Sequence, residues 1–193
     1  MSEQPSKLRL RFETVGSITA MVVGVAALFV SWDQGRVMRE EIKASVWPAL
    51  QVDGFFDTAS GRIAVGLNIE NAGVGPALIE RVSVKHYGEL LVDLDAIGAH
   101  LGAYDDRSYE TATGRILAAG AQTRPFTFWF EDPSSLILPE GEGGTQISAG
   151  PLDQNWSVEV CYCSSLDECW IAGSELIAPH PVNRCDSAAA SAI

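Results

Sequence analysis

The chain has 193 residues, with 25 Asp and Glu against 13 Lys and Arg, and therefore a formal net charge of −12. A surface this acidic repels the phosphate backbones of DNA and RNA, which argues against any role in nucleic-acid binding. The few residues able to carry chemistry are three histidines and four cysteines, and all the cysteines lie within the last 33 residues.

The first predicted element is a membrane-spanning helix over residues 14–32. These nineteen positions hold no ionisable residue, and as a helix they would cover roughly 28 Å, close to the hydrocarbon thickness of a bilayer. A secretory signal normally has a shorter apolar core and ends at a small-residue cleavage site. This run instead ends in Phe29-Val30-Ser31-Trp32. We therefore expect a retained anchor, with Trp32 at the membrane interface.

Small residues recur along one face of this predicted helix. Gly16, Ala20 and Gly24 are spaced by four, and Ala27 and Ser31 continue the same stripe. Small side chains let two helix backbones approach closely, which is how membrane helices associate. The stripe predicts contact with another integral membrane protein, whereas the bulkier faces would contact the lipid bilayer.

The orientation of the predicted span depends on the cysteines, because the flanking charges tie at three Lys/Arg on each side. The positive-inside rule does not decide the orientation in such a tie. An even, clustered set of cysteines is typical of disulfides in an oxidising compartment. We therefore predict a bacterial inner-membrane protein with a cytoplasmic segment, residues 1–13, and a periplasmic C-terminal domain.

After the span, the apolar pattern changes from a helical period to a strand period. Residues 33–45 hold good helix formers and are predicted to extend the helix as a juxtamembrane linker that ends before Pro48. Beyond Pro48, apolar residues alternate with other residues, as strands with one buried face require. The clearest such segments are "RIAVGLNIE" (62–70), "PFTFWF" (125–130) and "WSVEVCYC" (156–163).

Frequent turns and the lack of a β-α-β rhythm predict the fold class. One short helix is expected over residues 93–101, and all other elements read as short strands. The prediction is a mainly β protein, with the transmembrane helix followed by an antiparallel, immunoglobulin-like β-sandwich over residues 46–176. Residues 177–193 would form a C-terminal tail.

The segment "NAGVGPA" (71–77) is predicted to be a tight turn between two strands. Asn and Gly tolerate positive φ, and Pro restricts φ, so the segment can reverse the chain within a few residues. A phosphate-binding loop would require a following helix with Lys and Ser or Thr. The sequence after residue 77 does not provide one.

Three motifs resemble a broad group of uncharacterised bacterial proteins with one N-terminal span and an exported β-sandwich. The motifs are "WPAL" (47–50), "LNIENAGVGPALI" (67–79) and "CYCSSLDECW" (161–170). They are strand and turn features, so the resemblance implies the architecture and implies no activity.

The cysteines are predicted to form two structural disulfides. The alternation in "WSVEVCYC" places Cys161 and Cys163 together on the face opposite the core, and a five-residue loop joins Cys163 to Cys169. Cross-strand partners at a hairpin have nearly the geometry that a disulfide needs. Cys161 is then left for Cys185, which would pin the C-terminal tail. Four cysteines permit three pairings, so the sequence favours this pairing without excluding the other two.

Two other interpretations of the cysteines are open. Cys161 and Cys163 form a C-x-C pair that is suited to thiol–disulfide exchange, and together with Cys169 and His180 they offer soft ligands for a metal. The sequence places no cationic group beside them that would lower a thiol pKa, and the spacing matches no common zinc pattern. We therefore predict no metal site at the cysteines.

The sequence shows no catalytic constellation. His86, His100 and His180 lie in unrelated sequence contexts, and neither G-x-S-x-G nor H-E-x-x-H occurs. We therefore expect no enzymatic activity and no cofactor.

The expected function is that of a non-enzymatic, single-pass accessory subunit. Its helix and periplasmic sandwich would pack onto the integral membrane subunits of a larger respiratory, photosynthetic or transport complex. The alternative is a membrane-anchored periplasmic ligand-binding or sensing module, which a deep pocket with converging polar groups would indicate. A thiol–disulfide catalyst acting through Cys161 and Cys163 comes third.

Overall fold

The computed structural model of the chain describes residues 6–59, 61–136 and 155–185. The chain divides into two compact units between Ala44 and Ser45. The first unit is a single helix, and the second contains all the strands of the described residues. The predicted fold class, a mainly β protein that begins with an apolar helix, is confirmed.

The helix α1 extends from Ser6 to Ser45 without interruption, so its 40 residues span roughly 60 Å. It joins the predicted span, residues 14–32, and the predicted linker, residues 33–45, into one element. It also includes residues 6–13 of the predicted cytoplasmic segment, residues 1–13. From Thr14 onward the helix is long and apolar enough to cross a membrane.

The strands of the second unit form two antiparallel sheets. The first sheet contains β1 (Leu50–Ala59), β2 (Arg62–Asn71), β5 (Asp106–Tyr109) and β7 (Gln122–Phe130). The second sheet contains β3 (Ala77–His86), β4 (Glu89–Leu91), β6 (Ile116–Leu117), β8 (Trp156–Cys163), β9 (Cys169–Gly173) and β10 (His180–Val182). The short helix α2 (Leu94–Leu101) lies within the predicted range 93–101, and the side chain of Asp93 caps its first turn.

The order of the strands is that of an immunoglobulin-type sandwich. The first sheet has the order β1-β2-β7-β5, and the second has the order β10-β9-β8-β3-β4, with β6 paired to β3. Without β4, β6 and β10, this is the arrangement of four and three strands that defines the simplest members of the class. Since β10 pairs with β9, the second sheet continues to Val182, beyond the boundary at residue 176 that we expected from the sequence.

The core lies between the sheets and follows the predicted alternation. The side chains that point inward from β2, β7 and β8 are almost completely removed from solvent. Burying one such aliphatic or aromatic side chain contributes about 1.5–3 kcal/mol to the stability of the fold. These buried side chains therefore contribute more to stability than any single surface ion pair does. The large inward-facing apolar residues buried in the three strands are Val65, Leu67, Ile69, Phe126, Phe128, Phe130, Trp156, Val158, Val160 and Tyr162.

A completely buried asparagine organises the turn between β2 and β3. The Oδ1 atom of Asn71 accepts hydrogen bonds from the backbone N–H groups of Ala49 (3.2 Å) and Gly73 (3.0 Å). Its Nδ2 atom donates to the carbonyl oxygens of Gly75 (2.8 Å) and Leu117 (3.0 Å). One side chain thereby joins the entry to β1, the turn and β6.

The glycines of this turn are required because the entering chain passes directly over them. A Cβ atom on Gly75 would lie 1.8 Å from the carbonyl oxygen of Val46, and one on Gly73 would lie 2.3 Å from the backbone nitrogen of Ala49. No side chain fits at such distances from fixed backbone atoms. The segment 71–77 is therefore a structural turn, as the sequence predicts.

Tyr162 connects the two sheets at the same end of the sandwich. Its hydroxyl accepts a hydrogen bond from the backbone N–H of Leu50 (3.3 Å) and donates to the carbonyl oxygen of Pro48 (3.5 Å). Burial raises the pKa of Tyr162 to about 12, so the hydroxyl keeps its proton and can donate at any physiological pH. The first residues of β1 are thus held by a side chain of the opposite sheet.

The hydrogen bonds of Asn71 lead to a stability prediction. Replacing Asn71 by Ala leaves four backbone groups without their partner, and at about 1 kcal/mol each we expect the free energy of unfolding to fall by roughly 3–5 kcal/mol. Asn68→Ala is a matched control in the same strand, since the Oδ1 atom of Asn68 has no hydrogen-bond partner in the described residues. Denaturant unfolding of the full chain in detergent measures both. Equal unfolding midpoints for the two variants would show that Asn71 does not hold the turn.

Candidate functional site

The four cysteines form two disulfides on the outer face of the second sheet, the face that points away from the core. Cys161 is bonded to Cys185, and Cys163 is bonded to Cys169. Cys163 and Cys169 lie directly opposite each other in β8 and β9. This is the pairing that the sequence favoured among the three possible ones.

The two disulfides contact each other. Cys161 and Cys163 project from the same face of β8, and the Sγ atom of Cys163 lies 3.9 Å from that of Cys185. All four cysteines belong to the described residues and none of them is free, so the cluster holds no thiolate that could act as a nucleophile. Its effect is mechanical, since it ties β9 and the chain that follows β10 to β8.

The structure does not assemble the soft metal site that we considered with His180. The sulfurs of Cys163, Cys169 and Cys185 lie within 4.8 Å of one another, but each is already bonded in a disulfide. His180 lies in β10 opposite Ile171 and does not belong to this sulfur group. The close approach of the sulfurs follows from two adjacent disulfides.

A cleft beside the disulfides contains two arginines. Neither belongs to a motif that we identified in the sequence. We call it the arginine cleft, and its volume is about 400 Å³. Arg81 lies opposite Cys161 in the β3–β8 ladder, and Arg184 precedes Cys185. Two cations in one cleft are unusual in a domain that is otherwise acidic. The cleft is lined by Arg81, Cys161, Ile171, Val182, Asn183 and Arg184.

A second cleft lies beside the first strand, and we call it the β1 groove. Its volume is about 340 Å³, and its walls come from β1 and from the connection between β9 and β10. Its apolar lining includes Leu50, Val52, Ala172, Leu176 and Ile177. The sequence does not reveal this groove, because it depends on which strands become the sheet edges.

The structure brings together two histidines that lie in unrelated sequence contexts. His86 ends β3 and His100 lies in the last turn of α2, and their ring centroids are 4.4 Å apart. Tyr87 and Trp156 pack against His86, each at 4.7 Å between centroids. Burial, and secondly the charge of His100, lower the pKa of His86. In the described part of the chain neither ring has a carboxylate partner, so the pair lacks the orienting group of a catalytic histidine.

The small-residue stripe lies in α1, outside the sandwich. Gly16, Ala20, Gly24, Ala27 and Ser31 are all exposed. A Cβ atom added at Gly16 or Gly24 would meet no atom of this chain within 4 Å. The helix contact that we expect at this stripe stays a prediction.

No protein-family model matches the chain, and no curated protein matches it. The geometry of the two units is therefore the basis for a functional proposal.

The disulfides should stabilise the domain to different extents. Their sequence separations are 24 and 6 residues, for which the chain-entropy model gives about 3 and about 2 kcal/mol. We expect Cys161→Ala/Cys185→Ala to lower the melting temperature more than Cys163→Ala/Cys169→Ala, and to expose the residues after β10 to protease. Double variants are needed because a lone Cys185 thiolate lies within reach of Cys163, and its attack would release Cys169. An equal loss in both variants would contradict the expected ranking.

The environment of His86 predicts a loss of stability in acid. Its folded pKa lies below the unfolded value of 6.5, so as the pH falls through about 6.5 the unfolded chain binds a proton that the folded chain resists. This contribution to stability is present above pH 6.5 and is lost as the pH falls toward the folded pKa. We expect His86→Gln to flatten the dependence of the unfolding free energy on pH between about 7 and 5. His180→Gln, at an exposed histidine outside the cluster, is the control, and identical slopes in the two variants would refute the assignment.

Proposed function

We propose that the protein is a non-enzymatic, single-pass accessory subunit of a larger bacterial inner-membrane complex, of the respiratory, photosynthetic or transport type. Its N-terminus would lie in the cytoplasm and its sandwich in the periplasm. The helix would contact integral membrane subunits, and the sandwich would contact their periplasmic parts.

The observation that carries this proposal is the exposed stripe of small residues on α1. The helix is long enough to cross a bilayer and continue beyond it. Gly16, Ala20 and Gly24 repeat at the spacing that lets two membrane helices approach closely.

The state of the cysteines supports the periplasmic placement of the sandwich. Disulfides persist on the oxidising side of a membrane and are rare in the cytosol. All four cysteines are paired in two disulfides, and all lie in the sandwich. The N-terminal side of the helix would then face the cytoplasm.

The roles of the reactive side chains support a non-enzymatic function. The cysteines cross-link strands, and His86 packs in an aromatic cluster. Asp105 and Asp106, a conspicuous pair in the sequence, accept hydrogen bonds from the backbone N–H groups of Glu131 and Arg107. Each of these side chains therefore has a structural role in the fold.

The alternative, a membrane-anchored ligand-binding or sensing module, is supported by the arginine cleft. Its volume of about 400 Å³ is in the range of small-molecule sites. Arg81 and Arg184 both line it. The arginine cleft is open on the outer face of the sheet, whereas ligand pockets usually enclose most of the ligand, and we therefore place this function second.

The accessory-subunit proposal is tested by adding bulk to the stripe. Gly16→Leu and Gly24→Leu place a large side chain where two backbones must nearly touch, so we expect both variants to lose partner subunits during purification in mild detergent. Val22→Leu is the matched control, because Val22 is exposed on another face of the helix. The measurement is the amount of each co-purifying protein, compared between variants.

Two controls make the comparison interpretable. All three variants must insert equally, and a membrane-impermeant thiol probe should label the domain in intact spheroplasts only after reduction. Equal retention of partners in all three variants would mean that the helix is a plain anchor. Labelling only after lysis would refute the periplasmic placement, whereas labelling of intact spheroplasts without reduction would refute the two disulfides.

A further inference from the structure

Among the described strands, β1 is the only long one at the edge of a sheet. It has ten residues and pairs with β2 alone. The other edge positions are held by β5 with four residues, by β4 and β10 with three each and by β6 with two. Pro181 also removes a backbone donor from β10. Short edges and prolines discourage the addition of another strand, and β1 has neither feature.

The backbone of β1 presents hydrogen-bonding groups to the outside of the sheet. Leu50 donates its N–H to Tyr162 and not to β2, which shows that even-numbered residues of β1 direct their backbone groups away from β2. In an antiparallel pair this direction alternates residue by residue. The N–H and C=O groups of Val52, Gly54 and Phe56 therefore point outward, in the positions where an additional strand would bond.

The β1 groove borders the first residues of this edge, from Leu50 to Asp53. Its far wall carries Leu176, which is 40% exposed, and Ile177, which is completely exposed. An added strand would direct every second side chain to the inner side of the sheet. β1 lines the groove only as far as Asp53, so the side chain opposite Val52 is the one that would approach Leu176 and Ile177.

The outer side of the same edge carries two carboxylates, and Arg124 of β7 lies over the Phe55 ring between them, 4.7 Å from its centroid. Asp53 and Asp57 are exposed and flank the half-buried Phe55 on the face of β1 that points away from the core. Cross-strand neighbours on one face interact directly, and opposite charges there are favourable. The outward side chains of an added strand would therefore be favoured as Lys or Arg at positions four residues apart.

We propose that β1 binds, by strand addition, an extended segment of a partner polypeptide that carries two basic residues four positions apart with apolar residues at the alternate positions between them. Main-chain hydrogen bonds to Val52, Gly54 and Phe56 hold the segment, and its two basic side chains pair with Asp53 and Asp57. The proposal rests on the proposed function, because it states which periplasmic feature of a partner subunit the sandwich contacts.

A second copy of the chain does not fit this edge. Pairing of β1 with β1 of another copy brings two more aspartates, Asp53 and Asp57, onto the same face of the joined sheets. Like charges opposite each other on neighbouring strands are destabilising, and each chain already carries a net charge of −12. The acidic residues thus select a basic partner and also prevent self-association.

The test uses the full chain in nanodiscs of zwitterionic lipid and a capped peptide, TTKVTLKTT, with empty nanodiscs as the blank. We expect addition of the peptide to slow amide hydrogen exchange at Val52, Gly54 and Phe56 about tenfold, without comparable slowing at β5. Asp53→Lys/Asp57→Lys should raise the Kd of the peptide about tenfold. The matched control, Glu89→Lys/Glu131→Lys, makes the same change in net charge at exposed positions outside β1 and should leave the Kd unchanged.

A charge swap completes the experiment. The peptide with both lysines replaced by glutamate should bind the Asp53→Lys/Asp57→Lys chain and fail to bind the wild-type chain. The proposal is overturned by no binding, by binding without protection of β1, by equal weakening in both double variants, or by a dimer that protects β1 in the absence of peptide. The peptide does not depend on α1, so its failure would leave the accessory-subunit proposal to be judged by the glycine variants.

Discussion

The sandwich depends on how the chain is held where it enters β1. A buried asparagine in the first sheet and a buried tyrosine in the second both bond to backbone groups between Pro48 and Leu50. Since a buried backbone group without a partner costs about 1–3 kcal/mol, this junction keeps β1 in one register with respect to both sheets. Glycines at 73 and 75 let the turn lie directly under the entering chain. The outward direction of the β1 backbone groups follows from this arrangement.

The disulfides lie on the face of the second sheet that points away from the core. They fix the connection that faces the start of β1. One joins β8 to the start of β9, and the other joins β8 to Cys185, shortly after the end of β10. The connection between β9 and β10 is therefore held at both ends, although it carries exposed apolar residues. This connection forms one wall of the β1 groove. A cross-link that stabilises the fold thus also shapes the surface that we propose for a partner, and both would depend on an oxidising compartment.

Several elements could be predicted because their signals are local. The nineteen-residue uncharged run marks the apolar helix, and a period of two marks β2, β7 and β8 with the correct inward faces. The turn at 71–77 follows from the chemistry of single residues. Other features could not be predicted. His86 meets His100 only because a hairpin and a helix bring the two rings together, and Arg81 shares a cleft with Arg184 only because β10 returns to the sheet.

Taken alone, the sequence determined the parts of this protein that depend on residue type and spacing. These are the apolar helix, the strands with one buried face, the acidic surface and the small-residue stripe, because hydrophobic periodicity and backbone preference act over a few residues. Only the tertiary structure decided which strands became edges, where the two clefts lie and which side chains meet across them. These features depend on the order of strands in the two sheets. That order is set by contacts between residues far apart in the chain, which no local pattern records.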